Sequence, residues 1–170
     1  KSFCLAILVG ILFAFLVVLP FIGASVRINE IMPHSNNAYG DEWVELYNDG
    51  AEVDISGIIR DKQSNDSFQL KIPEEGYALI VSGKIDCSSF SGTNCVKLTT
   101  IGNGLNDAND SVFIYDGSSL IDDFSWSKSL KSSGNSWSYD GSWEECVPTP
   151  GKKNDCGDDT TTSSSELVLS

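Results

Sequence analysis

The chain is poor in the residues that usually do chemistry. Among 170 residues there is one histidine, and lysine and arginine together number 11. A Ser-His-Asp relay could use only His34, which sits in the polar turn PHSNNAYGD, the ordinary setting of a solvated loop residue. No GxSxG, HExxH, phosphate-cradling glycine loop or usable Ser–Lys pair occurs. CxxC-type spacing is missing too, which removes the common zinc frameworks. The 11 basic residues face 24 acidic ones, a formal net charge of −13. The basic stripe that nucleic acid demands is therefore absent, and the acids are spread as a solvated, self-repelling surface. No amphipathic helical period runs through the chain after its first 25 residues. These absences point away from an enzyme and from a nucleic-acid partner.

What is present begins with FCLAILVGILFAFLVVLPFI at 3–22, an apolar run after Lys1 and before the small residues Gly23, Ala24 and Ser25. Basic, apolar, small is the order of an export signal, although the run approaches the roughly 20 residues that span a bilayer. Residues 1–25 are thus expected to form one hydrophobic helix, as a cleaved signal peptide or an uncleaved membrane anchor. Either puts the rest outside the cytoplasm. Of five cysteines, Cys4 lies inside the apolar run. The other four, Cys87, Cys95, Cys146 and Cys156, read as disulfides in an oxidising compartment. Three connectivities are open, and the local one, Cys87–Cys95 with Cys146–Cys156, is favoured because it closes two short loops.

The exported part reads as short β-branched and aromatic runs broken by Gly, Asn, Asp and Ser. Strands are expected at 26–32, 42–48, 57–61, 67–70, 77–82, 96–99, 111–116, 120–126 and 136–140. Asp116-Gly117 is a hairpin signal, because glycine accepts positive φ. This spacing fits an antiparallel β-sandwich over 26–156. Residues 157–170, GDDTTTSSSELVLS, read as a Ser/Thr-rich flexible tail.

GDEWVELYNDG (40–50) packs three carboxylates around two aromatic residues. On a strand, Glu42 and Glu45 point to opposite faces. One face would carry Val44 and Leu46, the other Asp41, Trp43, Glu45 and Tyr47. A two-carboxylate mechanism needs both groups flanking one bond, which this strand alone does not supply. NGLNDANDSVFIYDG (103–117) imitates the start of a calcium loop at Asp107, Asn109 and Ser111. The pattern then asks for Gly where Val112 stands and Glu where Ser118 stands, so only a looser calcium site is left open. Trp126, Trp137 and Trp143 could stack on sugar rings if exposed, against the commoner outcome of packing in a core. Asn65-Asp66-Ser67 and Asn109-Asp110-Ser111 are N-glycosylation sequons.

Five segments, taken in order, resemble the lamin tail domain family in its prokaryotic exported form. They are VRINEIM (26–32), GDEWVELYN (40–48), DISGIIRDK (54–62), LNDANDSVFIYDGSSLIDDFSW (105–126) and PTPGKKN (148–154). The resemblance implies an immunoglobulin-like β-sandwich whose motif residues are architectural. Glu45 and Asn48 would fix a strand and its turn, and the PTPG segment would pin the chain end. It implies no catalytic residue. Nuclear members of that family serve as interaction platforms, sometimes for chromatin, a role that the acidity here speaks against. The expected function is a non-enzymatic extracytoplasmic module that binds a protein or another cell-envelope component. The alternatives are a carbohydrate-binding module using the three tryptophans and a calcium-dependent adhesion domain.

Overall fold

The pattern in VDISGIIR and NDSFQLKI sets the architecture. From Ile55 to Ile59 and from Phe68 to Ile72 every second residue is buried and the others face water or half-face it. Two such ribbons pair in register from Val53–Ile72 to Arg60–Asn65. Alternation of this kind buries one face of a sheet and leaves the other free.

The computed structural model describes residues 25–33, 41–132 and 134–157. Residues 1–24 of the expected leader, His34, and 158–170 of the expected tail lie outside the described residues. Among the described residues no helix is long and apolar enough to cross a membrane. The strands are β1 (Val26–Met32), β2 (Trp43–Asn48), β3 (Val53–Arg60), β4 (Asn65–Ile72), β5 (Gly76–Val81), β6 (Asn94–Lys97), β7 (Asp110–Asp116), β8 (Ser119–Trp126), β9 (Ser136–Tyr139) and β10 (Trp143–Cys146). Sheet A has the order β10-β9-β1-β2-β5-β6, and sheet B has the order β4-β3-β7-β8. The protein is an all-β, sandwich-like arrangement of two sheets.

The main core lies between the sheets. Sheet A contributes Ile28, Ile31, Val44, Leu46, Ala78 and Ile80, and sheet B contributes Ile55, Ile59, Phe68, Leu70, Ile72, Val112 and Ile114. Each fully buried aliphatic or aromatic side chain of this kind is worth about 1.5–3 kcal/mol. Trp126 and Trp137 join the same core. Asp122 ties the sheets by accepting the Ile28 amide at 2.8 Å.

All nine expected strands are present, and the β7–β8 hairpin turns at Gly117, whose φ is +58°. Two expectations need correction. The short charged run WEEC forms a tenth strand, β10, pairing along β9 from Trp143–Tyr139 to Cys146–Ser136. Nor is the pairing purely antiparallel, because β6 runs parallel to β5. The connection between them is long enough to carry the chain back to its starting end. It includes a 3-10 turn at Cys87–Ser89 and crosses over the sheet, so the next strand enters in the same direction.

That crossover also forms a second core on the outside of sheet A. Met32, Trp43, Leu79 and Val81 point outward and are covered by Ile85 and Phe90, with Cys87 and Cys95 alongside. Both faces of β2 are therefore buried. On the face that carries Trp43 and Glu45, both are 0% exposed.

Candidate functional site

β1 is irregular at one point. Its pairing with β2 slips by one residue between Ile28 and Glu30, leaving Asn29 as the extra residue of a bulge. Beyond the bulge Glu30 stands directly opposite Glu45. Both carboxyls lie on the outer face of sheet A and both residues are 0% exposed. Like charges directly opposite on paired strands repel. Neither residue makes an ion pair among the described residues, where the pairs are Lys71–Glu52 and Lys153–Asp140.

Neutral donors surround the two carboxyls instead. Asn29 Nδ2 donates to Glu45 Oε1 at 2.9 Å, and the Gly151 amide donates to Glu45 Oε2. Glu30 accepts from the Ser136 and Ser138 hydroxyls and from the Thr149 amide. Burial pushes the Glu45 carboxyl up to about 8, against the pull of its Gly151 and Asn29 donors. Burial likewise pushes Glu30 up to about 7, against the pull of Ser136, Thr149 and Ser138. Desolvation wins over hydrogen bonding at both residues, so the protonated form is favoured well above the usual carboxylate range.

The donors from above belong to residues 147–157, the closing segment. Asn154 anchors it with its whole hydrogen-bonding capacity. Its Nδ2 donates to the carbonyls of Asn29 and Tyr139, each at 2.9 Å. Its Oδ1 accepts from Thr149 Oγ1 at 3.0 Å and from Asn29 Nδ2 at 3.3 Å. Gly151 has φ +78°, and a Cβ there would stand 2.3 Å from Thr93 Oγ1. Only glycine meets both conditions while presenting its amide to Glu45. Thr93 belongs to the crossover that carries the other disulfide, so the two loops touch here.

The favoured cysteine pairing is the one present. Cys87–Cys95 closes the crossover and Cys146–Cys156 closes the last loop, at sequence separations of 8 and 10. Two disulfides fit an oxidising, extracytoplasmic environment. Cys156→Ser should lower the melting temperature under oxidising conditions, with a loss of about 2–4 kcal/mol. Equal melting of variant and parent would show that the staple adds nothing to the bonds of Asn154.

A second acidic cluster does a different job. The Gly102 amide donates to Asp66, Asn103 to Asp61, Leu105 to Glu42 and Asn106 to Asp110, all at 2.7–2.8 Å. Four carboxylates from four places in the chain thus wrap one loop. Burial, outweighing the Leu105 amide, pushes Glu42 up to about 7. The residues of the looser calcium reading lie beside this loop. Ser111 is buried with its hydroxyl on Ser125 at 2.7 Å, and Asn109 is engaged by Lys62. Asp107 offers its main-chain carbonyl to the Trp126 indole. Among the described residues no three His, Cys, Asp or Glu side chains are grouped to hold a metal ion.

The three tryptophans of the late segments are packed to different degrees. Trp126 and Trp137 are each 5% exposed, so their ring faces are spent on packing. Trp143 is half-buried and stacked on Phe124 at 3.8 Å between ring centroids. The sequon asparagines Asn65 and Asn109 are both exposed. In each sequon the middle residue, Asp66 or Asp110, is one of the loop's anchors.

The structure brings Glu45 together with Glu30, Asn29, Ser136, Ser138, Thr149 and Asn154. Apart from Glu45, the sequence reading singles out none of these side chains. One signal was available: the polar pair Asn29-Glu30 interrupts an otherwise apolar strand. No family profile matches the chain, and no curated protein matches it either.

Proposed function

We propose that this protein is an exported, non-enzymatic binding module of lamin-tail type, an immunoglobulin-like sandwich that engages a cell-envelope protein through the outer face of sheet B. The observation that carries the reading is the inequality of the two sheet faces. On sheet A, two stapled loops cover the outer face. On sheet B, no described residue covers the outer face, which has an apolar centre. Ile58, Tyr115 and Leu120 lie in one row across three strands, with Phe113 beside them. Ile58, Phe113 and Tyr115 are half-exposed and Leu120 is 49% exposed. Ser56, Ser67, Gln69 and Arg60 rim them. An apolar, aromatic centre with a polar rim is the anatomy of a protein interface. Arg60 and Lys71 share this face with the exposed Asp54 and Asp123, so its rim carries both signs of charge. Glu45 and Asn48 act as framework: Asn48 donates to the carbonyls of Ala51 and Pro73 and accepts from the Gly50 amide.

A photo-crosslinking residue placed at Ser67, on the open face, should give a discrete adduct in envelope fractions of the source cells. Tyr115→Asp should abolish that adduct. The same label at Ser88, on the crossover, should give none. Equal adducts from both positions, or none from Ser67, would overturn the reading. N-terminal sequencing of the native protein separates the secreted form from the anchored one, because an intact apolar leader keeps the domain at the membrane.

A further inference from the structure

The closing segment is held down almost entirely by the groups it covers. Among the described residues, apart from the disulfide at its ends and an exposed Lys153–Asp140 pair at 3.9 Å, its polar ties to sheet A run through Glu30, Glu45, Asn29 and the Tyr139 carbonyl. Two of those four are carboxyls facing each other across paired strands and accepting directly from the segment's amides. The surroundings contain little to neutralise a second negative charge. On β1, the Arg27 guanidinium is stacked over the rings of Tyr47 and Tyr139, at 4.5 and 5.1 Å from their centroids. On β5, Tyr77 lies against Tyr47, and its phenol is pushed up mainly by burial. Asp140 follows β9 and pairs with Lys153, and Glu145 on β10 is turned to Ser132 and Asn135. Lys152 and Asp155 on the segment are exposed.

We propose that the closing segment is a pH-gated strap, shut over Glu30 and Glu45 while one of them keeps its proton and lifted, hinged at Cys146–Cys156, when both are ionised. The physical reason is local. Two uncompensated carboxylates cannot share a dry site, and water is admitted most cheaply by raising the short disulfide-closed loop above them rather than by unfolding two sheets. The sign follows from linkage. Both carboxyls have raised affinity for protons in the shut form, so its extra stability is complete below about 4.5 and is lost as pH rises through 7 and then 8. The raised strap would uncover the middle of the outer face of sheet A, a surface distinct from the sheet B face. The inference does not rest on the binding reading above, and either can fail alone.

Amide hydrogen exchange on the full, disulfide-intact protein tests it. Protection at Thr149 and Gly151, corrected for intrinsic exchange, should fall about tenfold or more between about pH 6 and pH 9. Protection at Ile59 in β3 should stay constant. In Glu45→Gln the fall should shrink or vanish, because only one carboxylate is left to ionise, and Glu30→Gln should do the same. Flat protection in the parent, an equal fall at Ile59, or an undiminished fall in both variants would overturn the strap.

Discussion

Trp43→Ala is expected to destabilise the protein by about 3–5 kcal/mol, the cost of emptying a fully packed aromatic site. Trp43 is 0% exposed and packs with Met32, Leu79, Val81, Ile85 and Phe90. None of these partners belongs to the core between the sheets. The loss would therefore come from a layer built on the outside of sheet A by the Cys87–Cys95 crossover. Urea unfolding of the variant beside Trp143→Ala measures it. Trp143 is half-buried and leans on Phe124, so its removal should cost clearly less. A loss at Trp43 no greater than at Trp143 would show that the outer layer is loosely packed and that the crossover is a surface loop.

Asp61→Ala should cost roughly 3 kcal/mol for a different reason. This buried carboxylate accepts the Gln63 and Ser64 amides at 2.6 Å each and the Asn103 amide at 2.7 Å. Removing it leaves three donors without their acceptor, at about 1–3 kcal/mol for each one that water does not reach. Two of them lie in the β3–β4 turn and can be rehydrated, which brings the total down. Asp61→Asn should lose less, since one side-chain oxygen is left to accept. Chemical denaturation gives the size of the effect, and exchange of the Asn103 amide gives its place. A loss below about 0.5 kcal/mol in the alanine variant would mean that the loop is held by Asp66, Glu42 and Asp110 without Asp61.

Most of the sandwich could be read from local pattern, and its covering could not. The alternation in β3 and β4 and the Asp-Gly signal of the β7–β8 hairpin are properties of a few adjacent residues. Periodicity therefore finds them. The fate of Trp43 and Glu45 is not local. Nothing near them in the sequence says what covers their face, because the residues that bury it arrive much later, at Ile85, Phe90 and Gly151. The opposition of Glu30 and Glu45 depends on the bulge at Asn29, a single-residue slip that no composition rule marks. Asn29 and Asn154 stand 125 positions apart, and each is an ordinary loop-type residue by itself. The sequence marks Asp107, Asn109 and Ser111 as the looser calcium site and passes over Asp61, Asp66 and Asp110. The last three serve the backbone, because a loop with few strand partners must find acceptors for its amides somewhere. β10 was missed for the opposite reason: its central residues are both glutamate, and an edge strand tolerates charge that an interior strand does not.

The Cys146–Cys156 crosslink also decides how the domain answers a pull. Tension arriving along the chain at Gly157 passes from Cys156 straight to Cys146 and skips the residues between them. The closing segment is a slack bypass, and β10 takes the strain. At the other end the chain enters through β1, which lies inside sheet A between β9 and β2. Stretching the domain by its two ends would therefore have to shear β1 from its neighbours while β10 is drawn off an edge. Reducing that one disulfide would place the segment itself in the line of force, and Asn154 would become the first catch to give.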